Sequence, residues 1–534
     1  MPEVTEELGS FEKIGVVTGE STHVEFYFAV EDGKMPQVWD YVVVPSNELI
    51  DGEEKRVLVL GQITSIIAYS PGLTEYVPYS VAEKLKEAEI IEPRNLAKVK
   101  ILGFLHNGTV LMPRRTIYPG TYVYLAPDDI LTEVYSYPEE EGLYIGNLIT
   151  RPSVKVNLTI RGFRRHLAIL AQTGAGKSYT AGVLLEELYK KGATVIVLDP
   201  HADYVFISKD PEGKKKVLKR VKVFRTSEST GRYTKEEIGH VKTFEIKFAD
   251  LSLEEIFTIA GINEKWTNIM KAIEDALERL KSNENKDDSK NYTLNDLITA
   301  LQTSDNNNAL RALTYIKRLK KLKVFGDSTT PIGEFLQPQS IAVMDLSGLN
   351  DNVADYIAYR ILSEAYNQRE NGKYEYPIFI LIEEAHRFIP KNQSTLSKRI
   401  VKKIAAEGRK FGVFLILVTQ RPQKIDSDVL SQCNSQIIMR MTNPEDQNAV
   451  KKSAEQVSED LLRDLPGLNV GEAIIVGEVT KMPVMVKIRK RMTKEGGADI
   501  DIVGLLKKAR EKAKENIDKK VEQLKNEIKS FLEV

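Results

Sequence analysis

Cysteine is almost missing from this chain: its 534 residues include one, Cys433. A disulfide framework is thereby excluded, and a reducing, cytoplasmic setting is expected. No group of His and Cys residues has the spacing of zinc ligands, so a structural zinc module is not expected. Long apolar runs are also missing. The longest, such as Val413 to Val418, are strand-sized, against the roughly 20 residues that a membrane-spanning helix needs. Met1 to Ser10 is acidic and lacks an apolar core, so no signal peptide is expected. Charge of one sign is absent too, since 75 Lys and Arg against 76 Asp and Glu leave a net charge of −1. A polyanionic partner would have to be met by local clusters of cations. No internal repeat is evident.

What remains is the composition of a soluble globular protein, 42% hydrophobic and 28% charged, long enough for two to four domains. From Phe11 to about Leu148 the chain runs in short β-rich segments separated by turn residues: Gly15 to Val17, Val24 to Val30, Tyr41 to Val44, Arg56 to Ile67, Val99 to Leu102 and Gly120 to Leu125. That spacing predicts a small barrel over 1–150, with one helix at Ser80 to Glu89. Beyond Arg161, buried apolar runs alternate with helical stretches, the pattern of an α/β parallel sheet over 151–495. Its expected strands are His166 to Leu170, Thr194 to Leu198, Ser340 to Met344, Pro377 to Ile382, Gly412 to Val418 and Gln436 to Met441. Between the second and third, 208–339 reads as a helical insertion with an exposed polar connector at Ser282 to Asn291. Residues 496–534 form a charged helical tail whose apolar stripe, Ile517, Val521, Leu524, Ile528 and Phe531, either folds back or braces a neighbour.

The strongest local signal is Ala171-Gln172-Thr173-Gly174-Ala175-Gly176-Lys177-Ser178, between an apolar strand and a helix. Strand, small-residue loop and helix are the context of a Walker A loop. Thr173, Gly174, Ala175, Gly176 and the turn into Tyr179 would aim backbone N–H groups at phosphate, with the helix dipole behind them. Lys177 would reach the β- and γ-phosphates of ATP and Ser178 would hold Mg²⁺. Ala171 stands where the pattern has glycine, a mild obstacle if its backbone is ordinary.

The run Ile378 to Ile382 ends in Glu383 and Glu384. Ligand sites of parallel sheets lie at such carboxyl ends, so Glu383 is expected to bind Mg²⁺, directly or through water, and Glu384 to accept a proton from the attacking water. Two solvated acids at a helix start are the plainer alternative. Gln420, after the next strand, is a candidate sensor of the γ-phosphate, or else a surface residue opening a loop. Arg409 and Arg165 each precede a core strand and are candidates for a transition-state arginine from a neighbouring chain, or ordinary surface arginines. Asp199, His201 and His386 lie next to these segments: His201 could lie near the phosphates, with Asp199 orienting it or the metal water, and both histidines have a structural hydrogen-bonding role as their alternative.

Taken in order, Ile145-Gly146-Asn147-Leu148, Arg165 to Leu170 leading into the Walker A loop, Leu198 to Tyr204, Ile382 to His386, Glu407 to Gly412 and Val418 to Pro422 resemble the HerA family of archaeal DNA translocases. The resemblance spans about residues 10 to 490. It implies a RecA-like P-loop NTPase core behind a barrel of the HAS type, assembled as a homohexameric ring. It further implies ATP hydrolysis between subunits, movement of double-stranded DNA, and a NurA-type nuclease partner in resecting DNA ends for recombinational repair. Lys177, Ser178, Glu383, Glu384 and Gln420 match the family's nucleotide residues, and Arg409 and Arg165 match positions that reach into the next subunit. On that reading Lys398, Arg399, Lys402 and Lys403, and also Lys214, Lys215 and Lys216, are candidates for DNA contact in the channel. Each has a solvated surface or an ion-pair network as its alternative. A DNA pump of conjugation or secretion type and a non-motor scaffold are the competing functions.

Overall fold

A computed structural model of the chain describes residues 8–532 except 228, 230, 283–291, 305, 455, 456, 458 and 498–501. The expected polar connector therefore lies, but for Ser282, outside the described residues. Seven strands build the first unit: β1 (Lys13–Ser21), β2 (Glu25–Val30), β3 (Tyr41–Ile50), β4 (Glu53–Tyr69), β5 (Arg94–His106), β6 (Thr109–Leu111) and β7 (Tyr122–Leu125). Their order is β2-β1-β7-β3-β4-β5-β6, and a further β2–β5 pairing closes six of them into a barrel. Closure follows from alternation. Phe26 and Phe28, Val42 and Val44, and Ala97 and Val99 all point into one buried core, while their neighbours in sequence point away from it, Tyr41 and Val43 into the core of the second unit. The expected helix is present at Tyr79–Glu87.

A second, 12-stranded sheet has the order β13-β12-β16-β11-β17-β18-β10-β19-β20-β21-β8-β9. Its strands are β8 (Gly142–Leu148), β9 (Lys155–Thr159), β10 (Leu167–Leu170), β11 (Thr194–Asp199), β12 (Val221–Thr226), β13 (Val241–Phe244), β16 (Ser340–Asp345), β17 (Ile378–Ile382), β18 (Val413–Thr419), β19 (Ser435–Met439), β20 (Glu472–Val476) and β21 (Val484–Ile488). A separate pair, β14 (Ile246–Lys247) and β15 (Phe325–Gly326), lies between β13 and β16 in the chain. From β13 to β19 all neighbours are parallel, and the remaining strands are antiparallel. The central strands are buried along their whole length and almost entirely apolar, as strands with both faces covered are.

All six strands expected in this region are present, and two boundaries need correction. The segment 208–339 carries helices such as Thr267–Ser282 and Asn307–Ile316, but it also delivers β12 and β13 to the sheet. Lys222, Arg225 and Lys242 interrupt the apolar runs and hide these strands from a pattern search. Arg225 is tolerated inside because its Nε donates to Asp345 at 2.9 Å. Likewise β8, placed before 150 and so with the barrel, pairs with β21 and β9 and belongs to the second sheet. The two units touch where Trp39 Nε1 donates to Asp464 at 2.9 Å. Of the side chains described in the final helix, Ile502–Leu532, those of Ile502, Val503, Ile517, Val521 and Leu524 are exposed, while Ile528 and Phe531 of the expected stripe lie outside the described side chains.

Candidate nucleotide-binding site

The loop after β10 is held from three sides by backbone bonds. Ala171 N–H donates to Thr419 at 3.3 Å, Gln172 N–H to Arg440 at 3.0 Å, and the loop's own Ala175 carbonyl accepts from Gly471 N–H at 3.0 Å. Gly174 and Gly176 have φ of 77° and 100°, left-handed values that a side chain would resist. Ala171 is buried and is not among the residues of positive φ, so its methyl group is accommodated as expected. Helix Lys177–Lys190 starts at Gly176, which puts the loop at its positive dipole end.

Three neighbouring strands, β17, β18 and β10, bring the acids, the amide and the loop to one edge. Lys177 Nζ pairs with Glu383 Oε1 and lies 3.2 Å from Glu384 Oε1. Burial alone would lower the lysine's pKa, but the two carboxylates outweigh it and raise it. Glu383 is wholly buried, and that burial raises its carboxyl above the ordinary value despite Lys177. Burial pushes Glu384 upward too, yet His386 and Lys177 together bring it down to about 2. Glu384 also has φ 49° and ψ 49°, a conformation costing a side-chain-bearing residue about 1–2 kcal/mol. Its Oε2 is buried, with no hydrogen-bond donor among the described residues, and 3.2 Å from His386 Nδ1. A buried carboxylate oxygen with unused acceptor capacity suits an incoming water.

Ser178 Oγ donates to Asp203 Oδ2 at 2.7 Å, and Tyr204 hydroxyl donates to Glu383 Oε2. Asp203 and Tyr204 were not singled out in sequence, although they share the Leu198 to Tyr204 run after β11. What positions them is Asp199, whose buried carboxylate accepts N–H groups from Asp203 at 3.0 Å and Tyr204 at 2.8 Å. Asp199 thus shapes the loop, and burial followed by repulsion from Asp203 raises its pKa. No ready-made cage of three or more metal-ligating side chains exists among the described residues. Magnesium at a triphosphate needs none, being held by a hydroxyl or one or two carboxylates together with phosphate and water. The Ser178 hydroxyl, the carboxylates of Glu383 and Asp203, and the orphaned Glu384 oxygen are a donor set of that kind.

Gln420 Oε1 accepts from Thr173 Oγ1, joining the sensor candidate to the phosphate loop. Tyr179 is turned to another task, its hydroxyl accepting Arg491 N–H at 2.6 Å. His201 is exposed, and the desolvation of its ring by the surrounding loop lowers its pKa. Arg165 and Arg409 lie elsewhere. Both precede strands whose opposite ends carry the site, and both are exposed, Arg165 lying 3.5 Å from Glu478. Among the proposed DNA-binding residues, Lys398 lies 3.1 Å and Lys402 3.0 Å from Asp426, while Lys403 lies 3.1 Å from Glu370. Arg399 is exposed. Lys214 pairs with Glu212 at 2.7 Å, and Lys214, Lys215 and Lys216 rim a cleft of about 300 Å³.

A P-loop NTPase core carrying an N-terminal barrel is the class that fold and site define. Residues 14–107 match the HAS barrel domain, 143–365 the helicase HerA central domain, and 270–520 the helicase HerA-like C-terminal domain. The DNA double-strand break repair helicase HerA of Saccharolobus solfataricus is 32% identical over 94% of this chain and 97% of its own length. A probable helicase of Methanocaldococcus jannaschii is also 32% identical, over 93% of this chain and 94% of that protein. The chain belongs to the HerA helicase family. Among solved structures, VirB4 of Thermoanaerobacter pseudethanolicus overlaps 66% of this chain and 98% of its own, at 18% identity and a TM-score of 0.48. No described helix is long and apolar enough to cross a membrane.

Proposed function

We propose that this chain is an ATP-driven motor that moves double-stranded DNA as a homohexameric ring, working with a NurA-type nuclease in end resection for recombinational repair. The observation that carries this reading is the division of the site. Lys177, Ser178, Glu383, Glu384 and Gln420 converge at the carboxyl ends of the strands, while Arg165 and Arg409 lie at the amino ends, out of reach of their own loop. Transition-state arginines placed there can act only on a neighbour's nucleotide. Relatives spanning nearly the whole chain, named as DNA double-strand break repair helicases, support DNA as the substrate. The exposed Ile517, Val521 and Leu524 of the final helix support a role for it as a brace for an adjoining subunit.

In the mechanism, the N–H groups of Thr173 to Tyr179 and the Lys177 ammonium bind the β- and γ-phosphates of ATP. Ser178 and Glu383, assisted by Asp203, hold Mg²⁺, which supplies neutralising charge to the phosphates when bound. Glu384 Oε2 takes the proton of the attacking water, and Gln420 orients that water or the γ-phosphate. Phosphate competes with Glu384 for Lys177. As the ammonium turns to phosphate, Glu384 loses a charge that holds its pKa near 2, and burial then makes it a stronger base.

The test is ATP turnover by the purified chain with and without linear duplex, alone and with nuclease. Turnover should rise with duplex, and Glu384→Gln should keep nucleotide binding while losing about 10²-fold or more in turnover. Turnover indifferent to duplex under both conditions overturns the motor reading, and end resection that survives Glu384→Gln makes the chain a scaffold.

A further inference from the structure

The segment after β21, Arg489-Lys490-Arg491-Met492-Thr493-Lys494-Glu495-Gly496-Gly497, has the composition of a charged linker to the final helix. Arg491 and Thr493 are nevertheless buried, and the segment lies as a strap along the helix Lys177–Lys190. Tyr179, Gly182 and Glu186 are spaced by three and four residues, which sets them in a row on one face of that helix. Each of them meets the strap. The Tyr179 hydroxyl accepts Arg491 N–H at 2.6 Å, and Gly182 leaves room for the Arg491 guanidinium, which a Cβ there would strike. Glu186 Oε1 accepts the N–H groups of Met492 and Thr493 and the Thr493 hydroxyl, all at 2.8 Å, while Oε2 accepts Arg489 Nη1 at 2.9 Å.

Glu186 is fully buried, and a buried carboxylate is tolerated only where donors satisfy it. Among the described residues, the hydrogen bonds it accepts all come from the strap. The Thr493 hydroxyl also accepts Arg491 Nε at 2.9 Å, and Arg491 Nη2 donates to the Lys494 carbonyl at 3.2 Å, so the strap is cross-linked to itself beside Glu186. Its far end is sewn to the loop after β11. Lys494 N–H donates to the Lys209 carbonyl at 2.8 Å, Gly496 N–H to the Asp203 carbonyl at 2.9 Å, and Gly497 N–H to the Tyr233 hydroxyl at 3.0 Å. The strap thus joins Tyr179, the neighbour of Ser178, to Asp203, and the Ser178 and Asp203 side chains meet at 2.7 Å.

We propose that Glu186 is a positioning residue for the metal side of the nucleotide site, fixing the strap that holds Asp203 against Ser178. Eight residues separate it from Ser178, about 12 Å along the helix, so it acts only through the strap. The inference rests on the proposed binding of ATP and Mg²⁺ at this site and deepens it.

The experiment compares wild type, Glu186→Gln, Thr493→Val and Thr493→Ser for equilibrium binding of a fluorescent ATP analogue, once with Mg²⁺ and once in EDTA. Glu186→Gln turns an amide nitrogen towards the strap's donors, and Thr493→Val removes a donor to Glu186 together with the acceptor of Arg491 Nε. In both variants affinity in EDTA should match wild type, while the tightening that Mg²⁺ brings should shrink about 10-fold. Thr493→Ser, which keeps the hydroxyl, should retain the full Mg²⁺ effect. If Glu186→Gln does not fold, the two Thr493 variants decide alone. An undiminished Mg²⁺ effect in the variants overturns the inference, and so does an equal loss with and without Mg²⁺, which would make Glu186 a prop for the whole helix. A wild type whose binding Mg²⁺ does not tighten defeats the reading of the site itself, a result distinct from both.

Discussion

The two ends of the large sheet differ in how their charges are kept. At the carboxyl ends of β10, β11, β17 and β18, Lys177, Asp199, Glu383 and Glu384 are nearly or fully buried, and each has a partner of opposite charge or backbone donors. At the amino ends, Arg165 is 46% exposed with one partner at 3.5 Å, and Arg409 is exposed in the last turn of helix Leu396–Phe411. Burying the first group carries a desolvation cost that only a defined ligand geometry repays, whereas the second group is free to reorient. One end is preorganised and the other is available, as the proposed sharing of the site between neighbours requires.

Removing the preorganised end should have the largest effect. Lys177→Ala leaves Glu383 and Glu384 buried side by side without their cation, so it should weaken ATP binding as well as chemistry. Turnover is expected to fall on the order of 10³-fold or more. An equilibrium binding measurement with a fluorescent ATP analogue separates the two losses, and unchanged binding would show that Lys177 serves only the acids.

Arg409→Ala removes the available end and should cost about 10²–10³-fold in turnover with nucleotide binding retained. Mixing sharpens the comparison. Lys177→Ala and Arg409→Ala chains, each inactive alone, should recover measurable turnover when assembled together, because some junctions then pair an intact loop with an intact arginine. If no mixing ratio restores activity, the two ends do not serve one site.

The preorganised end was much the more legible in sequence. Gly176, Lys177 and Ser178 have local spacing set by phosphate geometry, and Glu383 and Glu384 break an apolar run so abruptly that their place at a strand end could be read directly. Asp203 and Tyr204 were harder, because their roles depend on Asp199 folding the loop back, a tertiary event with no periodic signature. Strands β12 and β13 escaped because Arg225 and Lys242 look like surface residues until Asp345 and Glu334 appear opposite them. The lysines of 398–403 show the converse. Their charge was visible in the sequence, but the carboxylates that occupy it come from 426, 428 and 370.

Gly497 tests how far the preorganised end extends. It has φ 65°, and a Cβ there would lie 1.9 Å from Asp203 Oδ1, so Gly497→Ala must displace the carboxylate bonded to Ser178. Turnover at saturating Mg²⁺ should fall about 10-fold, and the Mg²⁺ concentration for half-maximal turnover should rise. A lowered rate with an unchanged Mg²⁺ requirement would confine the effect to backbone strain.

The smallest effect belongs to the amino end and is read by pH. His166 is buried, with Nδ1 accepting Leu415 N–H at 3.0 Å and Nε2 donating to the Ala405 carbonyl at 3.1 Å. It thereby pins the helix that carries Arg409 to β18, and it must stay neutral to accept at Nδ1. Burial lowers its pKa to about 4, against 6.5 for the free side chain. Above pH 6.5 the folded and unfolded forms are both neutral, and the contribution is fully present. As pH falls towards 4 the unfolded form takes up the proton first, so stability declines across that window by about 3 kcal/mol. His166→Ala should start less stable but lose less between pH 7 and pH 4 than wild type, measured as the change in Tm. Parallel pH profiles for the two proteins would mean that His166 does not titrate differently on unfolding, and that the hold on the Arg409 helix comes from packing alone.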